Sequence, residues 1–134
     1  EVEDTAALQL RWRHGALGTM AVTMLTYPNN LEGSITLLGE TGTVKIGGSA
    51  VNKIEHWVFA DERPDDAEVD QASYATTSIY GFGHLPYYTN VLDVLQGKSD
   101  ALCDGREGLR SLELLIGAYR AARDGGTVHL PLEY

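Results

Sequence analysis

Hydrophobic positions recur at two different periods along this chain, and the change of period divides it into a strand-rich first part and a helical last part. Near the start, Ala6, Leu8, Leu10 and Trp12 alternate with Gln9, Arg11 and Arg13, the period of two expected of a strand with one wetter face, and His14-Gly15 supplies a turn. The following run, Leu17 to Tyr27, carries Leu17, Ala21 and Leu25 on one face and Met20, Val22 and Met24 on the other, so both faces are expected to be covered. Pro28-Asn29-Asn30 breaks that strand, Gly33 to Leu38 resumes it, Gly39-Glu40-Thr41-Gly42 turns, and Thr43 to Ile46 continues as a short strand. Gly47-Gly48 forms a further corner, after which Val51 to Phe59 alternates in the mixed manner of a strand near an edge. Five strands are expected before any helix.

From Asp61 to Asp70 the chain holds six acidic residues with Arg63 and Pro64, too polar and self-repelling for a packed layer, and residues 61–76 are expected to form a flexible, solvated excursion. The segment Tyr80-Gly81-Phe82-Gly83-His84 then leads into a helix with Pro86 as its first residue, Tyr88, Val91, Leu92 and Leu95 on one face, and Gly97 as the stop. A second helix is announced by Asp104-Gly105-Arg106-Glu107, which reads as a capping box, and continues with Leu109, Leu112, Leu115, Ile116 and Tyr119 at helical spacing. Gly125-Gly126 ends it, and Thr127 to Leu130, stopped by Pro131, is the expected final strand. These elements predict an α+β fold, an open and mostly antiparallel sheet with helices on one face and the other face free to pair with a second subunit. Residues 1–134 are expected to form a single domain, and no internal repeat is present.

Composition narrows the function classes. No apolar run approaches the ~20 residues needed to span a membrane, so no membrane partner is expected. The formal charge of -9 repels nucleic-acid backbones and anionic lipid headgroups. The single cysteine, Cys103, cannot form an internal disulfide, and cytoplasmic location is the expectation. The chain opens on Glu1-Val2-Glu3-Asp4 without an initiating Met or a signal-like stretch, which reads as a piece of a longer polypeptide.

No G-x-G-x-x-G or G-x-x-x-x-G-K-[ST] loop occurs, and the pairs Gly39/Gly42 and Gly47/Gly48 sit between strands as turn residues. His14, His56, His84 and His129 never fall at metal-ligand spacing, no nucleophile elbow or Ser/His/Asp set can be assembled, and Cys103 before a helix cap reads as a small buried residue, so no catalytic residue is assigned. Two segments are candidate binding sites. In the first, Tyr80, Phe82, His84 and Tyr87 combine aromatic faces with the freedom of Gly81 and Gly83 at a helix start, a setting suited to a sugar, a base or an anion. The alternative is a glycine-hinged connector whose aromatics pack on the sheet. In the second, Tyr27, Asn29, Asn30 and Glu32 cluster where an otherwise apolar strand ends, which suits polar ligand contacts, although Asn in a turn is usually there for backbone reasons.

The run from Asn30-Leu31-Glu32-Gly33-Ser34 through Gly39-Glu40-Thr41-Gly42-Thr43-Val44 to Gly47-Gly48 resembles the sheet core of the C-terminal domain of the glucose-fructose oxidoreductase/inositol dehydrogenase family. The segments Asp104 to Glu113, Ala118-Tyr119-Arg120-Ala121-Ala122 and Val128-His129-Leu130-Pro131 resemble its closing helix and strand, so the resemblance covers essentially the whole chain. Within the family, Tyr80-Gly81-Phe82-Gly83-His84 and Asn30 to Ser34 look most like the NAD-dependent UDP-N-acetyl-2-amino-2-deoxyglucuronate dehydrogenases of bacterial surface-polysaccharide synthesis. The resemblance implies a parent enzyme whose N-terminal Rossmann domain binds NAD, with this domain supplying the sugar-nucleotide side and a homo-oligomer interface through the open sheet face. It also implies that the family's catalytic Lys, in Glu-Lys-Pro, and its Asp-x-x-x-His segment lie outside this chain, so that His84 is not that His and the chain alone is inactive. The competing expectation is a stand-alone carbohydrate-binding or structural self-association module.

Overall fold

The computed structural model describes residues 2–61, 63–64 and 66–133, with Asp70 described by its backbone alone. Glu62 and Asp65, both counted in the acidic excursion, and Glu1 lie outside the described residues. The elements are strands β1 (Thr5–Arg11), β2 (Leu17–Thr23), β3 (Ile35–Leu38), β4 (Gly42–Gly47) and β5 (Lys53–Phe59), then helices α1 (Asp66–Val69), α2 (His84–Leu95) and α3 (Gly105–Asp124), with a 3-10 turn at Asp70–Ala72. This is an α+β fold with all five described strands ahead of the helices, and its strands form two sheets, a hairpin β1-β2 and a three-stranded sheet ordered β3-β4-β5. The chain divides into two compact units, Glu1–Thr5 with Val22–Pro86, and Ala6–Ala21 with Tyr87–Tyr134.

In the first unit β3, β4 and β5 pair antiparallel. Opposed residues share a face, so Leu37, Val44 and Trp57 line up across the sheet, as do Ile35, Ile46 and Ile54. The register shifts between Lys45 and Ile46, a bulge that leaves Glu55 of β5 able to meet Lys45 at 2.6 Å. Gly42 opens β4 because Phe59 lies across it: a Cβ there would overlap the Phe59 ring. Val44, 8% exposed, is the buried apolar centre of this sheet, whereas all four residues of the edge strand β3 are exposed. The acidic stretch beyond β5 is anchored to it. Asp66 accepts from the Trp57 indole N–H at 2.8 Å and from the Arg63 amide at 2.8 Å, and the Arg63 guanidinium lies 5.1 Å above the Phe59 ring.

In the second unit the hairpin turn is closed by the Gly15 amide donating to the Trp12 carbonyl and the Trp12 amide donating to Ala16, with Gly15 at φ +92. Exposure along β1 alternates as its sequence does, with Ala6, Leu8 and Leu10 the less exposed set. On β2, Leu17, Met20 and Val22 are all exposed, so the expected cover on both faces is not supplied among the described residues. Helix α3 begins where the sequence places it: Asp104 accepts from the amides of Arg106 and Glu107, and Gly125 at φ +68 closes the other end. The reciprocal half of the capping box is replaced, because Glu107 pairs with Arg110.

Four expectations are corrected here, the simplest being Cys103, which is exposed and not buried. Residues Thr127 to Leu130 form no strand; they pass beside α3, where Leu130 and Val128 approach Gly117 and the Leu132 amide donates to Glu113 at 2.6 Å. A β-prone run becomes a strand only when a partner strand takes its hydrogen bonds, and here its packed neighbour is a helix while the Leu130 carbonyl accepts from Arg13. The buried side of α3 accordingly runs through Gly117, whose missing side chain admits Leu130, while Leu109, Leu112, Leu115 and Tyr119 of the expected stripe are exposed. Helix α2 starts at His84, two residues before Pro86, which sits within the first turn where no amide partner is required. No described helix is long and apolar enough to cross a membrane.

Candidate functional site

The first unit's loop Gly48–Asn52, between β4 and β5, holds a polar network that the sequence does not advertise. Gly48 takes φ +87, and Val51 takes φ +53, a left-handed conformation that a β-branched residue rarely adopts. Asn52, 5% exposed, has both polar atoms of its side chain and its carbonyl engaged, as burial of an amide side chain demands. Its Oδ1 accepts from the Ala50 amide at 3.1 Å, its Nδ2 donates to the Tyr74 carbonyl, and its own carbonyl accepts from the Tyr74 amide at 3.1 Å. One residue earlier, the Ser73 hydroxyl accepts from the Ile54 amide at 2.9 Å. The end of the acidic excursion is thus fastened to the start of β5 at two consecutive residues.

Tyr74 carries that fastening onward. Its ring stacks on Phe82 with centroids 5.0 Å apart at 27°, and its hydroxyl oxygen accepts from the Phe82 amide at 3.3 Å. Gly81, at φ +58, passes so close to the hydroxyl that a Cβ would overlap it, while Ala50 would lie 3.6 Å from that Cβ. The intervening Thr76–Tyr80 turn is held by Ser78, whose amide donates to Thr76 Oγ1 and whose hydroxyl oxygen accepts from the Tyr80 amide. Tyr80 then lies 5.9 Å from His84, ring to ring, at the first residue of α2.

The other candidate segment reaches the same loop. Gly33 donates its amide to the Gly48 carbonyl at 2.9 Å, and a Cβ on Gly33 would stand 3.0 Å from the Val51 side chain. Just upstream of that attachment, Tyr27, Asn29 and Asn30 are exposed, while Glu32 accepts from the Ser34 hydroxyl at 3.3 Å. Glu32 also adds to the field at Lys45, whose pKa is held above its ordinary value first by the hydrogen bond to Glu55, then by the attraction of Glu55 and, more weakly, of Glu32.

The structure therefore places seven of the eight site residues expected from sequence, Tyr27, Asn29, Asn30, Glu32, Tyr80, Phe82 and His84, in one unit on segments that share the Gly48–Asn52 loop as an attachment. Tyr87 falls in the second unit, edge-on to Tyr88 at 5.4 Å. Tyr27 at 95% exposed, Tyr80 at 72% and Phe82 at 62% keep most of their ring surface available for contact. Phe82 does stack within the chain, as the connector alternative expected of these aromatics, but its partner is Tyr74. Asn52, Ser73 and Tyr74 were not singled out by sequence reasoning; an Asn closing the loop that begins at the Gly47-Gly48 corner was the available signal.

Among the described residues no cluster of His, Cys, Asp and Glu is arranged to hold a metal. The glycine turns do not suit a dinucleotide. Gly39 spends its amide on the Gly42 carbonyl at 2.8 Å and Gly48 bonds the Glu55 carboxylate through its backbone, and both lie between strands and not at a helix start.

Residues 1–130 match the family described as the C-terminal alpha/beta domain of the Gfo/Idh/MocA oxidoreductases. Among solved structures, the chain is similar to the WlbA dehydrogenase from Bordetella pertussis in complex with NADH and UDP-GlcNAcA, at 60% identity and a TM-score of 0.90 over 98% of this chain and 38% of that one. It is similar as well to the WlbA dehydrogenase from Chromobacterium violaceum in complex with the same two ligands, at 55% identity and a TM-score of 0.88 over 100% of this chain and 37% of that one. No curated protein matches. The chain thus spans somewhat more than a third of the length of these structures, and over nearly all of its own length it belongs to the Gfo/Idh/MocA oxidoreductase family as the C-terminal alpha/beta domain.

Proposed function

We propose that this chain is the substrate-binding and subunit-pairing domain of a cytoplasmic, NAD-dependent sugar-nucleotide dehydrogenase that oxidises a CH–OH group of a UDP-N-acetyl-aminosugar uronate for surface-polysaccharide synthesis. The observation that carries this reading is the 60% identity, sustained over 98% of the chain, to a dehydrogenase crystallised with NADH and UDP-GlcNAcA. Identity at that level over a whole domain supports a shared ligand class and not merely a shared fold. NAD is assigned to the rest of the enzyme, since the glycine turns here do not suit it.

This chain's own part is recognition. A sugar nucleotide presents hydroxyls, an amide, a planar base and several negative charges. The exposed amides of Asn29 and Asn30 both donate and accept, as sugar hydroxyls and an N-acetyl group require. The open rings of Tyr27, Tyr80 and Phe82 offer faces for the base or the sugar. His84 opens α2, and the start of a helix favours an anion. Such local donors are needed because the chain as a whole, at a formal charge of -9, repels an anionic substrate. The exposed, unpaired edge of β3 and its apolar residues Ile35, Leu37 and Leu38 support a homo-oligomer interface on this sheet.

The test is a dehydrogenase assay of the full-length protein with UDP-N-acetylglucosaminuronate and NAD, read as NADH formation. Turnover of this substrate, with UDP-N-acetylglucosamine turned over far more slowly, supports the reading. Absence of turnover and of binding by either uronate or NAD would sink it. Light scattering of the same protein should give a multiple of the chain mass, and a strictly monomeric mass at high micromolar concentration counts against the interface.

A further inference from the structure

We infer that Tyr74 is a positioning residue for the sugar-nucleotide site, setting the place of Tyr80, Phe82 and His84 relative to the sheet; this rests on the site reading above. Three observations converge on it. Tyr74 is gripped through both its backbone groups by the buried Asn52, which takes the Tyr74 amide on its carbonyl and gives its own Nδ2 to the Tyr74 carbonyl. The half-buried side chain holds the next segment twice, by stacking on Phe82 at 5.0 Å and by accepting the Phe82 amide at 3.3 Å on its hydroxyl. Gly81 is the residue that allows this grip, since only an absent side chain fits against the hydroxyl at φ +58.

The chain of contacts is therefore rigid sheet, Asn52, Tyr74, Phe82, and then the two groups offered to ligand, Tyr80 and His84, whose rings stand 5.9 Å apart. The same Gly48–Asn52 loop carries Gly33, and with it the segment bearing Asn29 and Asn30. The strained φ of +53 at Val51 lies within this loop, between the two attachments. Backbone strain of this kind persists where the surroundings over-determine a conformation, and it gathers at sites that must be held in one arrangement. A phenol that merely filled space would need neither the hydroxyl contact nor the double backbone grip. Tyr74 instead couples the position of the substrate loop to the sheet, so its hydroxyl should govern affinity for the sugar nucleotide while leaving chemistry and the cofactor untouched.

The experiment compares Tyr74→Phe, His84→Ala and the parent full-length enzyme, with steady-state kinetics for both substrates and hydrogen exchange of peptides covering residues 78–84. For Tyr74→Phe the expected result is a KM for UDP-N-acetylglucosaminuronate raised roughly fivefold, the factor carried by one lost hydrogen bond, with kcat and the KM for NAD unchanged. Exchange across residues 78–84 should quicken several-fold while β4 and β5 keep their protection. A merely structural role would instead disturb both substrates together, raising the KM for NAD along with that for the sugar nucleotide. If exchange is unchanged, or if the sugar-nucleotide KM stays at the parent value while His84→Ala raises it, the inference is overturned and the site reading stands. If neither variant alters that KM, the site reading itself fails and takes this inference with it.

Discussion

Placing an alanine at Gly81 should destabilise the protein by more than the same change at Gly97, and the excess should disappear when the Tyr74 hydroxyl is removed. Both glycines have left-handed backbones, φ +58 and φ +68. A Cβ at Gly97 would meet nothing within 4 Å. Its cost is then that of a left-handed L-residue, about 1–2 kcal/mol, offset by the roughly 0.4–1 kcal/mol gained from a stiffer unfolded chain, leaving about 1 kcal/mol. At Gly81 the Cβ would displace the Tyr74 hydroxyl, adding about 1 kcal/mol for the lost Phe82 hydrogen bond and about 1 kcal/mol for the disturbed stacking, or about 3 kcal/mol in all. In a Tyr74→Phe background the nearest remaining ring atom, Cζ, lies 3.5 Å from the Cβ, an ordinary contact, so Gly81→Ala should again cost only about 1 kcal/mol. Thermal unfolding of the full-length protein reads these differences at roughly 2–4 °C per kcal/mol. The reasoning is refuted if the effects of Gly81→Ala and Tyr74→Phe simply add to within about 0.3 kcal/mol, the behaviour of sites that do not touch.

Three further outcomes are expected. The Asp66 carboxyl is held below its ordinary pKa first by the Trp57 indole hydrogen bond and then by the Arg63 amide. Because the folded value is depressed, its contribution is fully present above the unfolded pKa, ~4, and is lost as pH falls through the lower folded value. The Trp57 indole N–H resonance should therefore shift with a midpoint below ~4, and a midpoint at or above that value, or an unchanged titration in Asp66→Asn, would contradict the contact. Asp104→Ala should lower stability by about 1 kcal/mol through loss of two amide contacts at the start of α3, and Asp104→Ser should retain most of it, both measured by thermal unfolding. His84→Ala or Asn29→Ala should weaken sugar-nucleotide binding by roughly 1–3 kcal/mol in calorimetry without lowering the melting temperature. If both variants bind normally while Tyr27→Ala only lowers the melting temperature, these segments are packing elements.

The parts of the fold that sequence disclosed are those whose cause is local. The alternation from Ala6 to Leu10 reappears as alternating exposure along β1, and Asp104 and Gly125 bound α3 because a cap and a left-handed glycine act within a few residues. What stayed hidden depends on partners far along the chain. The run Thr127 to Leu130 has the composition of a strand but lies beside α3, and nothing in those residues alone tells a helix neighbour from a strand neighbour. The expected stripe of α3 missed the buried Gly117, because close approach by Leu130 rewards a small residue that hydrophobic spacing ignores. For the candidate site, the exposed aromatic and amide groups were legible as residue types, whereas their support was not. Asn52 and Tyr74 are 22 positions apart, and their pairing is a product of tertiary packing.

The central claim, that this domain holds the substrate of a sugar-nucleotide dehydrogenase on segments fixed to the Gly48–Asn52 loop, is tested most directly by a crystal structure of the full-length protein with NADH and UDP-N-acetylglucosaminuronate. The expected result is a sugar nucleotide within hydrogen-bond distance of His84 or of the Asn29-Asn30 amides, with an aromatic face from Tyr27, Tyr80 or Phe82 against the base or sugar. A ligand held wholly by residues outside these two segments, with both in the arrangement described here, would contradict it.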